Sequence, residues 1–325
     1  MWLKRFLVSE EMRVLNAEPY GYSSQAREIL LEVGELVEIS LTTNELKAMI
    51  ADFDVLIVRL GFQIDRAVID AGERLKVIVT ATTGLDHIDI EYAHAKGIKV
   101  LSLRGELDFL RSIVATAEHT WGLLLALTRR IPWAFDSVRS GDWNRDLFRG
   151  NDLRGKRLGV LGLGRIGEKV ANYGLAFGMR VSAYDPFNSL WIDGVERCIS
   201  LEQLCAQSDV LSMHVPLDSS THKLLDQKLI YTMPEGALVL NTSRGQILDE
   251  VALLHALEAG HLGGAAVDVL STERSSELSS LISYAQTHDN LLITPHIGGA
   301  TQEAMADTEI FMAKQLQKWC AEGSQ

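Results

Sequence analysis

The chain has 325 residues, too many for one ordinary core, and about 150 residues per domain divides it into two. Hydrophobic residues make up 47% and charged residues 23%, which excludes a disordered, collagen-like or coiled-coil chain. Thirty-one Lys and Arg against 43 Asp and Glu leave a net charge of −12, which repels phosphate backbones and argues against general nucleic-acid binding.

Lys4, Arg5, Glu10 and Glu11 interrupt the N-terminus too early for a secretory leader. No apolar run reaches the roughly 18 residues of a membrane span, so no membrane association is expected. Cys198, Cys205 and Cys320 are odd in number and lack zinc-type spacing. They predict neither a disulfide framework nor a metal site, and a reducing, cytoplasmic location.

Short β-branched runs alternate with amphipathic stretches. Arg5–Ser9, Asp54–Arg59, Lys76–Ala81 and Ile98–Leu103 read as strands; Thr43–Ala51, Asp65–Ala71 and Ile90–Lys96 read as helices between them. Strands separated by helices imply parallel pairing and right-handed crossovers. Ile113–Leu127 is long enough for a buried helix, and Gly141-Asp142-Trp143 reads as a loop. The strand pattern restarts at Leu158–Leu161 and recurs at Arg180–Tyr184, Val210–His214, Ala237–Asn241, Gly264–Val269 and Asn290–Thr294. Gln302–Ala321 has helical spacing and needs a core, for which the first domain is the natural host.

The run Leu158–Leu161 leads into Gly162-Leu163-Gly164-Arg165-Ile166-Gly167. In a GxGxxG loop between strand and helix, the first glycine makes the tight turn. The second lets backbone approach a pyrophosphate, and the third lets helix pack on strand. The helix N-terminus then faces the phosphates, and Ile166, Val170, Tyr173 and Phe177 mark its buried face. Asp185 closes the next strand, where a carboxylate accepts bonds from an adenosine ribose and repels a 2′-phosphate. The cofactor expected is NAD rather than NADP.

Three polar residues follow three apolar strands: Arg244, Glu273 and His296. Ligands of open parallel sheets bind outside the carboxyl ends of the strands, so these residues are expected to converge. Arg244 offers a planar fork for a carboxylate. His296 exchanges the hydroxyl proton, and Glu273 orients the imidazole and favours its charged form. Singly, each also reads as a cap, a solvated acid or a core histidine. Together they make a set for 2-hydroxy acid oxidation.

These motifs resemble the D-isomer-specific 2-hydroxyacid dehydrogenase family over nearly the whole chain. Asn241-Thr242-Ser243-Arg244-Gly245 resembles its NxxRG signature. The interval from Asp268 to Glu273 matches that between a cofactor-contacting Asp and the catalytic Glu. Thr294-Pro295-His296-Ile297-Gly298-Gly299 resembles the segment carrying the acid–base histidine. The resemblance implies two Rossmann- or flavodoxin-like, doubly wound α/β domains with parallel sheets and an active-site cleft between them. Residues 1–104 with 297–325 would form the substrate domain, and 105–296 the NAD-binding domain. It implies cofactor contacts at Gly162, Gly164, Arg165, Ile166, Gly167, Asp185, Val215, Thr242, Ser243, Asp268 and Gly298. Arg59, Thr83, Gly84 and Arg244 would contact a small 2-hydroxy or 2-oxo acid, within a homodimer joined through the cofactor domains. Ile297-Gly298-Gly299-Ala300-Thr301 leans toward the D-3-phosphoglycerate dehydrogenase-like branch. The departures are His87 in place of an Asn, Arg274 in place of a Pro, Thr80 in place of an Arg, and an unusual Arg104–Arg111 hinge. Arg59 with Arg104 or Arg111 would be able to meet a second anionic group on the substrate. Competing readings on the same scaffold are an NAD-sensing corepressor-like interaction protein and an enzyme of formate or phosphite oxidation. The formate-type site has Gln where this chain has Glu273.

Overall fold

The computed structural model describes residues 12–189, 191–273 and 279–323, and the chain divides into two units. One comprises residues up to Leu110 together with the segment from Gln302 onward; the other runs from Arg111 to Thr301. The expected division at 104/105 and 296/297 differs by a few residues for physical reasons. Phe109 stacks on Phe311 at 4.1 Å, which ties residues 105–110 to the first unit. The N–H groups of Ile297 and Gly298 donate to the Asp268 carboxylate, which keeps that loop in the second.

The first unit is built on five parallel strands: β1 Met12–Asn16, β2 Gly34–Glu38, β3 Val55–Val58, β4 Val77–Thr80 and β5 Lys99–Ser102. Their order is β2-β1-β3-β4-β5, the flavodoxin-like arrangement, with its switch point between β1 and β3. The expected strand Arg5–Ser9 lies outside the described residues. β2 and the helix Ser24–Leu31 were not foreseen: among the described residues β2 pairs with β1 alone, and its sequence GELVE carries two glutamates, as suits an edge strand. The helix Gln302–Gly323 packs on this unit and buries Met312, Ala313 and Leu316.

The second unit carries seven parallel strands. They are β6 Arg157–Leu161, β7 Arg180–Tyr184, β8 Val195–Arg197, β9 Val210–Met213, β10 Ala237–Asn241, β11 Leu262–Val267 and β12 Leu291–Ile293. Their order is β12-β11-β10-β9-β6-β7-β8, so direction reverses between β6 and β9. Both faces are covered. Val239 and Ala265 join one apolar cluster and Leu240 and Ala266 the other, which is why these strands read as unbroken apolar runs. The helix Ala115–Thr128 fills the expected Ile113–Leu127 stretch and lies on the second face. On the glycine-loop helix the buried residues are Gly167, Val170, Ala171 and Gly174. Phe177, expected in that face, is 45% exposed and stacks on Trp121 instead. Among the described residues, no helix is long and apolar enough to cross a membrane.

Candidate active site

The glycine loop sits at the switch point of the seven-stranded sheet. Gly162 has φ +86°, and a Cβ there would lie 2.7 Å from the His214 carbonyl oxygen at the end of β9. A Cβ on Gly167 would collide with the Gly162 carbonyl. Beside Gly164, by contrast, the space is open. Gly164 is also the N-cap of the helix Arg165–Ala176, and no side chain caps that end. An open approach to an uncapped helix N-terminus fits a pyrophosphate.

Asp185 follows β7. Its Oδ2 accepts the Leu163 N–H at 2.9 Å, and its Oδ1 accepts the Phe187 and Asn188 N–H groups. Asn188 Nδ2 in turn donates to the Leu163 carbonyl at 2.7 Å, so carboxylate and amide clamp the glycine loop from both sides. A carboxylate with about four lone-pair sites retains capacity for ribose hydroxyls. Arg165 donates to the Ile113 carbonyl, and burial pulls its guanidinium below the ordinary value. Ile166 and Val215 pack partly buried against the two apolar clusters. His214 bonds Ser212 through Nε2, and burial pulls its pKa down to about 3, so it is neutral at working pH.

The three strand ends are joined by an internal network. After β10, Asn241 Nδ2 donates to the Arg244 carbonyl, while its Oδ1 accepts from the Ser243 N–H and hydroxyl. Arg244 Nη1 donates to the Ser243 carbonyl at 2.7 Å. A Cβ on Gly245 would collide with the backbone of Leu270 and Ser271. Only glycine therefore lets the arginine loop lie directly on the loop that leads to Glu273. Glu273 Oε1 accepts the Leu270 N–H, and Oε2 lies 2.8 Å from His296 Nδ1. The carboxylate thus fixes Nδ1, leaving Nε2 as the ring nitrogen for proton exchange.

His296 has φ +55°, a left-handed conformation that His adopts more readily than most residues yet at a cost of about 1–3 kcal/mol. Asp268, directly after β11, holds it there. The Asp268 carbonyl accepts the His296 N–H at 2.8 Å. Its buried carboxylate accepts the Ile297 and Gly298 N–H groups, the Thr294 hydroxyl at 2.6 Å and a bond with His119 Nε2 at 3.2 Å. Burial works to raise this carboxyl, but those four donors outweigh it and hold it below the usual range. The Asp268 N–H donates to the Asn241 carbonyl, which links the arginine loop to the histidine loop.

Sequence reasoning missed His119. Its Nε2 also lies 3.0 Å from Thr294 Oγ1, and the available signal was the polar run Glu118-His119-Thr120 at the head of a helix whose second half is mostly apolar. Asp268 and Gly298, expected at the cofactor, spend their polar groups on each other and on this loop. Thr242 is buried with its hydroxyl 2.8 Å from that of Thr120, so its side chain packs on the helix Ala115–Thr128.

The remaining expected residues belong to the first unit. Thr83 and Gly84 form a loop after β4, pinned through its carbonyls by Arg104 Nε and Thr82 Oγ1. Arg59, directly after β3, pairs with Glu309 of the terminal helix.

Comparison with known proteins accords with this geometry. Residues 121–298 match the family model described as D-isomer specific 2-hydroxyacid dehydrogenase, NAD binding domain. The chain is 39% identical over 311 residues to a D-3-phosphoglycerate dehydrogenase of Methanocaldococcus jannaschii, covering 94% of this chain and 57% of that protein. It thus spans little more than half the length of that relative. It is 37% identical to a hydroxypyruvate reductase of Thermotoga maritima, covering 90% of this chain and 94% of that one. A D-lactate dehydrogenase from Aquifex aeolicus, solved with NAD and lactic acid, superposes with a TM-score of 0.80 at 29% identity over 96% of each chain.

Proposed function

This chain belongs to the D-isomer-specific 2-hydroxyacid dehydrogenase family, and we propose that it interconverts a D-2-hydroxy acid and its 2-oxo acid with NAD. The Glu273–His296 pair at 2.8 Å, on an NAD-binding unit and beside the arginine loop, carries this reading. NAD supplies the two-electron hydride acceptor or donor. Gly164 and the uncapped helix end would hold its pyrophosphate, and Asp185 its ribose. Arg244 binds the substrate carboxylate and polarises the neighbouring carbonyl. His296 gives a proton from Nε2 to the 2-oxo oxygen in reduction and takes it back in oxidation. Glu273 holds the imidazole in that tautomer. Thr83 and Gly84, on the family resemblance, offer further contacts to the acid.

An NADH-consumption screen across glyoxylate, hydroxypyruvate, pyruvate and 3-phosphohydroxypyruvate tests the reading, and no turnover with any 2-oxo acid would end it. Run with NADPH as well, the screen also tests Asp185. Wild type should prefer NADH, and Asp185→Ala should narrow that preference. Because Asp185 also clamps the glycine loop through Leu163, affinity for both nucleotides should fall in the variant. A wild type preferring NADPH contradicts the assignment.

The helix Ile131–Arg139 supports pairing with a second copy. Ile131, Phe135 and Val138 are exposed along one side, followed by Trp143 at 89% exposure. Such a row costs solubility unless covered. Light scattering should give a dimer mass for wild type and a monomer for Phe135→Asp with Trp143→Asp. A monomeric wild type removes the proposal. An odd number of cysteines, Cys198, Cys205 and Cys320, suits a reducing compartment, and we place the protein in the cytoplasm, which cell fractionation checks.

A further inference from the structure

In a sheet ordered 2-1-3-4-5, a ligand is expected outside the carboxyl ends of β1 and β3, where the strand order reverses. In the first unit that position gathers donors suited to an anion. They are the Arg59 guanidinium and the backbone N–H groups of Arg59, Gly61 and Ser23. Each is taken by a carboxylate of the chain itself. Glu18 accepts the Arg59 N–H at 2.5 Å and the Gly61 N–H at 3.1 Å. Glu309 accepts Arg59 Nη2 at 2.5 Å and the Ser23 N–H at 2.6 Å. Glu309 reaches in from the helix Gln302–Gly323, and its side chain is 2% exposed.

The pairing is one-pronged. Arg59 Nη1 turns to the Tyr20 carbonyl, and the buried Nε has no partner among the described residues. A guanidinium binds a planar or tetrahedral anion best through two parallel N–H groups. Here the fork meets a side chain that engages it through one nitrogen. Glu309 thus blocks the arginine more than it satisfies it.

We propose that Glu309 fills, from within the chain, an anion position at the switch point of the first unit, and so restricts the substrate to acids without a second anionic group. A phosphate or a second carboxylate arriving there would face a buried negative charge and find the guanidinium already engaged. This deepens the proposed dehydrogenase function and rests on it for the identity of the substrate. The anion position itself does not.

The test compares kcat/KM for 3-phosphohydroxypyruvate and 2-oxoglutarate with that for hydroxypyruvate and glyoxylate, in wild type and in Glu309→Gln. Calorimetric titration with inorganic phosphate is run on both proteins. Wild type should favour the monoanionic acids and show no phosphate binding at millimolar concentration. The variant should shift the ratio toward the dianionic acids by about tenfold or more and acquire phosphate binding. A wild type that prefers the dianionic acids overturns the proposal without any variant. So does a folded Glu309→Gln protein with wild-type ratio and wild-type phosphate response. If no 2-oxo acid is reduced, the dehydrogenase reading fails, while the phosphate titration still decides the anion position.

Discussion

His296→Ala is expected to lower kcat by about 10²-fold or more while the affinity for NADH stays close to wild type. The loss follows from removing the ring that Glu273 positions, at 2.8 Å, for proton exchange through Nε2. A second effect must be separated from it. Position 296 has φ +55°, and alanine is less tolerant of that backbone than histidine. His296→Asn keeps a residue that visits the left-handed region readily but cannot exchange the proton. Both variants should therefore be equally slow, with matched thermal unfolding for the asparagine protein. Steady-state and nucleotide-binding measurements give the answer: turnover within a few-fold of wild type in either variant removes His296 from the acid–base role.

Arg244→Lys should lose about 10- to 100-fold in kcat/KM for every 2-oxo acid reduced, although the charge is kept. Lysine presents a point charge and cannot grip a carboxylate through two parallel N–H groups. Arg244 is also aimed locally, since Nη1 leans on the Ser243 carbonyl and Asn241 holds the backbone behind it. A lysine would not reproduce that brace. The nucleotide affinity should change little. Wild-type kinetics in the lysine variant would show that the acid is anchored elsewhere.

Legibility in the sequence tracked how locally each feature is determined. β6 and β10 read as strands because both faces of the sheet are covered, so LGVL and ALVL run without a polar residue. The glycine loop was readable for a similar reason: Gly162 and Gly167 answer to collisions within their own βα turn or with the adjacent strand. β2 escaped notice because an edge strand with two apolar residues between glutamates has too short an apolar run to read. The helix Ile131–Arg139 was overlooked although Ile131, Phe135 and Val138 keep the i, i+4, i+7 spacing of an apolar helix face. The residues Arg244, Glu273 and His296 were visible as strand-end polar groups. What organises them was not, because Asp268, His119 and Thr294 meet across up to 175 positions of chain. Glu309 was hidden in the same way: nothing in its helical neighbourhood marks it as the partner of Arg59, 250 residues earlier.

The terminal helix also bears on the order in which a ribosome delivers the fold. Residues 12–110 precede the second unit in the chain, yet the unit they form receives Met312, Ala313, Leu316 and the carboxylate opposite Arg59 from the segment that follows it. The second unit is contiguous in sequence, and all seven of its strands are present once residue 293 has been made. Domains ordinarily close in N- to C-terminal order during synthesis, at about 5–20 residues per second. Here the first unit must wait without its closing helix, and with Arg59 lacking Glu309, while the second unit is completed. Its closure therefore follows the synthesis of the second unit, and the face that receives Met312, Ala313 and Leu316 stays open to proteases and misassociation for that interval.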